Sequence, residues 1–233
     1  PIAVGAALSA TRLGTGAVTC CLFGYGANKE GALHEALNIA AVWKLPVVFV
    51  CENNKYGMST STERSTAVAS IAERAVAYAM PGRAVDGNDF SAVAEAVETA
   101  VNHARVGDGP SLIESLTYRW RGHSKSDRNR YRTKEEIADW MAKDPIPRFA
   151  QDLIDHGILT QDDVATLETD TDREMAEAIA SAKTGADPIA AEVTRDTLVE
   201  LHHQAKKLFR RELRLAAYQL TVSSPAHPAP KAL

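Results

Sequence analysis

LFGYGANKEGALHEALN, Leu22–Asn38, is the stretch on which the reading of the whole chain turns. A strand-like apolar run enters a Gly-Tyr-Gly turn, and a pattern of helical period leaves it. Two glycines let backbone approach a bound group closely, and the first N–H groups of a helix have no partners within it. The layout is therefore that of a backbone cradle for phosphate. Such cradles commonly recruit a divalent cation, and a hard cation wants a carboxylate. The central residue of this turn is Tyr25.

On either side of the turn the pattern repeats. Val18–Phe23 (VTCCLF) and Val47–Cys51 (VVFVC) are short runs, apolar almost throughout, which suits parallel strands buried on both faces. Between them, Glu30–Trp43 sets Leu33, Leu37, Ala40 and Ala41 on one helical stripe, and Pro46 helps to end it. Strand, helix, strand at this spacing is a βαβ unit. The spacing predicts further elements: a helix over Ser70–Met80, a strand over Arg83–Val85, a helix over Phe90–Arg105 and a strand over Ser111–Tyr118. The first fourteen residues form an Ala-rich helix broken at Gly14 and Gly16. The expected fold is a doubly wound α/β sheet. Ligands in such sheets lie beyond the carboxyl ends of the strands, so the turn at Gly24–Gly26 and the loop Glu52–Tyr56 belong on one rim.

After Trp120 the character changes. Arg119, Arg121, Lys125, Arg128, Arg130 and Arg132 crowd a polar loop, and helices follow over Lys134–Ala142, Ile146–His156 and Asp162–Lys183, the last capped by Thr160 and Asp163. Ile189–Leu220 is helix-like and increasingly basic, with Leu208, Phe209 and Leu215 on one side. The residues from Ser223 to Leu233 are Pro-rich and expected to be disordered.

The net charge of −4 argues against nucleic acid and anionic membrane surfaces as partners. No apolar run reaches the ~18 residues needed to span a bilayer, and PIAVGAALSATRLG makes a poor signal peptide. Cys20, Cys21 and Cys51 lack CxxC spacing and read as free, buried thiols of a reducing compartment, with the cytoplasm as the default location. His34, on a helix beside Glu35, reads as a satisfied structural histidine, and His202–His203 has no sensible metal spacing.

Two stretches together carry a resemblance. FGYGANKEGALHEALNIAAVWKLPVVFVCENNKYGMST (Phe23–Thr60) is similar to the cofactor segment of alpha subunits of thiamine diphosphate-dependent 2-oxo acid dehydrogenases. SLTYRWRGHSKSDRNRYRTKEEI (Ser115–Ile137) resembles the active-site loop of the same family, in its bacterial pyruvate and acetoin dehydrogenase style. The resemblance runs from Pro1 to about Pro188. It implies a thiamine diphosphate-binding fold over 1–188, a three-layer αβα arrangement around a parallel sheet, followed by a basic helical extension over 189–222 and a tail over 223–233.

What the resemblance implies for the site is specific. Gly24, Gly26 and Ala27 correspond to the diphosphate cradle. Asn54, 29 positions after residue 25, corresponds to a side-chain ligand of Mg²⁺, and Tyr56 to a backbone carbonyl ligand. His123, in Arg-Gly-His-Ser, corresponds to a catalytic histidine beside the reactive carbon, a role that suits a side chain titrating near neutrality. Ser124 matches a serine phosphorylated in some relatives. Two positions depart from the pattern: Tyr25 stands where the family has aspartate, and Lys29 where it usually has asparagine. Mg²⁺ binding is expected to be weakened or lost, with Lys29 able to balance part of the diphosphate charge.

The implied partners are a beta subunit in an α2β2 assembly, which brings the glutamate that activates the aminopyrimidine ring, and a lipoyl-bearing acyltransferase component. The implied substrate is a 2-oxo acid or acetoin. The family's alpha subunits carry further sequence before the point matching Pro1. At least one strand and several cofactor contacts are therefore expected to be absent, with an open sheet edge and an uncovered apolar face. A catalytically impaired relative acting in assembly is the alternative. A nicotinamide-binding Rossmann protein is disfavoured, because Lys29 stands where Gly-x-Gly-x-x-Gly needs its third glycine.

Overall fold

The computed structural model describes residues 1–187 and Ile189. The chain divides into two compact units, Pro1–Ala165 and Thr166–Leu233. Ile189 apart, the expected extension over 189–222, the tail over 223–233 and the His202–His203 pair lie outside the described residues.

In the first unit, helix α1 (Ile2–Leu13) ends on Gly14, whose left-handed φ of 64° suits glycine. Strand β1 (Thr19–Gly24), helix α2 (Gly31–Val42) and strand β2 (Val47–Asn53) make the first βαβ unit. Strand β5 (Gly82–Asp86), helix α4 (Phe90–Arg105) and strand β6 (Ser111–Leu116) make a second. The four long strands form one parallel sheet in the order β1-β2-β6-β5. A small hairpin, β3 (Tyr56–Gly57) and β4 (Thr60–Ser61), and a one-turn helix α3 (Thr62–Ser65) follow β2.

Two cores lie on opposite faces of the sheet, which gives the expected three layers. On one face Val4 and Ala7 of α1 and Ala36, Leu37 and Ala40 of α2 pack with Val47, Phe49 and Leu112. On the other, Ala96 and Ala100 of α4 pack with Val48, Val50, Val85 and Ile113. Alternate strand residues serve alternate faces, so β2 must be apolar at successive positions.

Four expectations need correction. β1 is not buried on both faces: it is an outer strand, α4 covers its neighbours and not it, and Leu22 is 64% exposed. Cys20 lies on that same uncovered face and is exposed, whereas Cys51 is buried and its thiol is pushed up to about 12, mainly by burial and then by the charge of Glu114. The helix expected over Ser70–Met80 is a 3₁₀ helix and shorter at both ends, Ile71–Tyr78. Its apolar residues still reach the core, because a stripe three residues apart serves either geometry. Arg132 is the fourth, described below with the loop that it holds.

The polar loop after β6 leads to helices α5 (Lys134–Met141) and α6 (Pro145–Asp155). Arg148 of α6 pairs with Asp89 at 2.6 Å and Asp86 at 3.2 Å, at the start of α4. Helix α7 (Gln161–Thr184) is capped as expected: the Thr160 N–H donates to Asp163 Oδ2 at 2.8 Å, and the Asp163 N–H donates to Thr160 Oγ1 at 3.2 Å. Its part in the second unit is surface helix, with Arg173 paired to Asp170 and Glu177.

Candidate functional site

β1 and β2 run parallel with Gly24 opposite Glu52, so the loops that follow them emerge side by side. The Tyr25 N–H donates to the Glu52 carbonyl at 3.1 Å. A methyl group on Gly57 would sit 3.5 Å from the Tyr25 ring and 3.6 Å from the Gly26 Cα. The glycine turn and the Asn54–Tyr56 segment therefore meet on one rim, at the carboxyl ends of the strands.

The turn is a single 3₁₀ stretch, Ala27–Lys29. The N–H groups of Asn28, Lys29 and Glu30 close it onto the carbonyls of Tyr25, Gly26 and Ala27. A Cβ added at Gly24 or Gly26 would meet nothing within 4 Å, so both glycines face open space. Asn28 is buried. Its side-chain oxygen accepts from Arg74 at 3.3 Å, and its Nδ2 has no acceptor among the described residues. Arginine only donates, so the orientation of this amide is fixed.

Tyr25 does not project into that space. Its side chain is 1% exposed and packs with Cys51 and Ile71, with Phe23 against them. The phenol oxygen bonds Thr66 Oγ1 at 2.8 Å, Ser65 Oγ at short range and, weakly, the Thr62 carbonyl at 3.5 Å. Lys29 is exposed, with its ammonium 4.5 Å from the centre of the Tyr25 ring. Burial pushes the phenol up, but hydrogen bonds from Lys29, Ser65 and Thr66 together with the lysine charge hold it below its usual value.

Of the expected metal ligands, Asn54 accepts the Tyr56 N–H on its side-chain oxygen at 3.4 Å. Tyr56 places its ring among Tyr118, Tyr131 and Arg132 and donates its hydroxyl to Glu136 at 3.0 Å. No group of three or more His, Cys, Asp or Glu side chains that could hold a metal occurs among the described residues. Gly24 and Gly26 leave room for the diphosphate of the cofactor that the resemblance implies, while residue 25 offers Mg²⁺ no carboxylate.

The basic loop reaches the same hairpin. His123, Ser124, Asp127, Arg128, Arg130 and Tyr131 line an open cleft of about 330 Å³ together with Met58 and Ser59 from the β3–β4 turn. Arg119 donates to the Met58 carbonyl at 2.7 Å and to the Tyr131 hydroxyl at 3.0 Å, and lies 3.3 Å from His123 Nδ1. Asp127 accepts from the His123 N–H at 2.9 Å, the Asn129 N–H at 2.9 Å and the Tyr131 hydroxyl at 2.7 Å. These bonds, the Tyr131 hydroxyl first, hold its carboxyl down at about 2. Gly122 is obligatory here, since a Cβ would lie 2.8 Å from that of Asp127.

Arg132 corrects the sequence reading, which grouped it with the other cations of the polar loop. It is 7% exposed and sits 5.3–5.6 Å from the rings of Tyr56, Tyr118 and Tyr131. Its guanidinium donates to the carbonyls of Arg119, Trp120 and Arg121 and to Asn129 Oδ1. Arg121, Lys125, Arg128 and Arg130 remain exposed. His34 bonds the Tyr78 hydroxyl at 2.6 Å, a structural role.

A second unexpected residue is Glu114. It is 1% exposed on β6 and accepts from Asn53 Nδ2 at 2.7 Å, from the Ala72 N–H at 3.1 Å and from Ser70 Oγ at short range. Asn53 in turn accepts from the Lys55 N–H at 3.1 Å and Thr62 Oγ1 at 3.2 Å. The one signal in sequence is a lone carboxylate inside the buried run SLIESL.

With the basic loop bonded to the hairpin that follows the Asn54–Tyr56 segment, comparison with known proteins becomes decisive, and the model of the dehydrogenase E1 component family matches residues 1–190. The chain belongs to that family. It is 51% identical over 154 residues to the alpha subunit of acetoin:2,6-dichlorophenolindophenol oxidoreductase of Bacillus subtilis (strain 168), covering 66% of this chain and 46% of the relative. It is 36% identical over 202 residues to the alpha subunit of the pyruvate dehydrogenase E1 component of Porphyra purpurea, covering 84% and 59%. The alpha subunit of 3-methyl-2-oxobutanoate dehydrogenase of Mycobacterium tuberculosis (strain CDC 1551 / Oshkosh) is 48% identical over 160 residues, covering 68% and 44%. The chain thus spans about half the length of the curated relatives it matches. No described helix of this dehydrogenase E1 family member is long and apolar enough to cross a membrane.

Proposed function

We propose that the chain serves as the alpha-type component of a thiamine diphosphate-dependent dehydrogenase acting on a 2-oxo acid or acetoin. It would work with a beta subunit in an α2β2 assembly, pass its product to a lipoyl-bearing acyltransferase component, and act in the cytoplasm. One observation carries the reading: the Gly24–Ala27 turn, the Asn54–Tyr56 segment and the His123 loop converge, with Arg119 bonding the Met58 carbonyl at 2.7 Å. Gly24, Gly26 and Ala27 would hold the diphosphate, and Asn54 and Tyr56 would frame it. The cofactor, when bound, supplies the carbanion chemistry. The chain's own work is positional. The cleft loop binds and orients an anionic substrate through its exposed arginines, and His123 gives or holds a proton at the reacting oxygen.

A second reading, that of a non-catalytic assembly component, is favoured by Tyr25, which puts a buried, hydrogen-bonded phenol where the resemblance implies a carboxylate. Dye reduction by the chain co-expressed with a beta subunit separates the two. Turnover of pyruvate, acetoin or 3-methyl-2-oxobutanoate above background supports the enzyme. No turnover either in the natural protein or in Tyr25→Asp supports the assembly role.

A further inference from the structure

We infer that the diphosphate site of this chain works without a divalent cation, with the Lys29 ammonium supplying the counter-charge. This rests on the cofactor reading proposed above and goes beyond it by assigning what balances the anion.

Mg²⁺ demands near-octahedral oxygen ligands at about 2.0–2.1 Å and ordinarily takes one or two carboxylates from the protein. The rim offers none at the position that matters. The Tyr25 oxygen faces the interior and is engaged by Ser65, Thr66 and the Thr62 carbonyl. The Asn54 side-chain oxygen receives the Tyr56 N–H, and that of Asn53 receives the Lys55 N–H and Thr62 Oγ1. A metal at Asn54 would have to share an oxygen that already accepts a bond within the loop, with no carboxylate beside it at residue 25. Restoring access by swinging Tyr25 outward would expose a ring packed on Cys51 and Ile71.

The same rim is well supplied with donors. Asn28 Nδ2 is buried without an acceptor among the described residues, and Arg74 fixes the direction of that amide by donating to its oxygen. Lys29 is exposed on the same turn, held near the Tyr25 ring at 4.5 Å. A cation over an aromatic face is weakly attracted to it, enough to bias the ammonium without burying it. Gly24 and Gly26 leave open space on the same turn. An unpaired amide donor and a lysine suit phosphate oxygens and repel a cation. Tyrosine where the resemblance implies aspartate closes the metal's position, and lysine where it implies asparagine supplies a charge in its stead.

Titration calorimetry of the full chain in its native assembly, with thiamine diphosphate and separately with inorganic pyrophosphate, tests this in EDTA and in excess Mg²⁺. The expected result is affinity equal within about twofold in the two buffers, and about tenfold weaker binding in Lys29→Ala. Tyr25→Asp is expected to acquire Mg²⁺ dependence; should that variant fail to fold, the two buffers on the natural protein decide alone. A tightening by Mg²⁺ of about tenfold or more in the natural protein overturns the inference and leaves the cofactor reading standing. Absence of binding in both buffers overturns both.

Discussion

Asn53 Nδ2 donates to Glu114 Oε1 at 2.7 Å, a bond between the two central strands of the sheet. It links a buried carboxylate to the residue that opens the rim loop, because Asn53 also receives the Lys55 N–H and Thr62 Oγ1. Lys55 has a left-handed φ of 70°, a conformation that these bonds enforce.

Glu114→Ala would strand two donors inside the protein, Asn53 Nδ2 and Ser70 Oγ, and leave the Ala72 N–H to Ser70 Oγ alone. Each buried donor left unsatisfied costs roughly 1–3 kcal/mol, so the variant should lose about 2 kcal/mol or more of stability in urea unfolding. Glu114→Gln keeps an acceptor and should lose about half as much. Cys51 provides an independent readout. Its thiol, pushed up to about 12, resists alkylation while the sheet is closed, and its labelling rate should rise with the unfolded fraction.

Arg132 organises the loop through four acceptors and three tyrosine rings, a geometry that only a planar fork can satisfy. Arg132→Lys keeps the charge and loses the fork. Opening of residues 119–132 should become easier by about 2 kcal/mol, seen as a roughly 30-fold loss of amide-exchange protection in that loop. The strand amides of β2 and β6 should keep theirs. Equal loss in both places would show that Arg132 supports the whole fold and not the loop.

Asp127 gives the loop a defined response to acid. Its folded-state pKa, about 2, lies below the ordinary carboxylate value, chiefly through the Tyr131 hydroxyl and then the N–H groups of Asn129 and His123. A depressed carboxyl contributes stability that is fully present above about pH 4 and is lost as pH falls through the folded value. The loop should therefore hold constant from pH 7 to 5 and loosen between about 4 and 2. Asp127→Asn should remove that acid window and leave the loop looser at neutral pH. Trp120 fluorescence against pH, compared between the two proteins, checks both halves.

Much of this was legible in the sequence. The period-3.6 stripe of Phe90–Arg105 matches α4 at both ends, and the two motif-bearing stretches fall on loops that meet. What stayed hidden depends on partners distant in the chain. Tyr25 is visible as a substitution, but its inward position is set by Ser65 and Thr66, some forty residues later. Arg132 reads as one more loop cation until three tyrosines from separate elements enclose it. The hairpin β3–β4 is two residues a side, too short to show alternation. β1 is apolar because one face packs, yet which face stays open depends on where α4 lies.

His123 carries the last prediction. Arg119 Nη1 lies 3.3 Å from His123 Nδ1, and a guanidinium has no acceptor, so in this contact Nδ1 must accept. The imidazole proton is then on Nε2, which becomes the donor available to a substrate oxygen. Nitrogen NMR of the natural protein should show the Nε2–H tautomer for His123, and Arg119→Met should shift it towards a mixture of the two. His123→Gln should lower kcat by about 10²–10⁴-fold, the usual contribution of a positioned proton donor, with thiamine diphosphate affinity unchanged. Arg119→Met should lower kcat by less, because the imidazole survives and only its tautomer bias is lost. If His123→Gln weakens cofactor affinity and leaves kcat intact, the histidine is a binding contact and the proton-donor role is wrong.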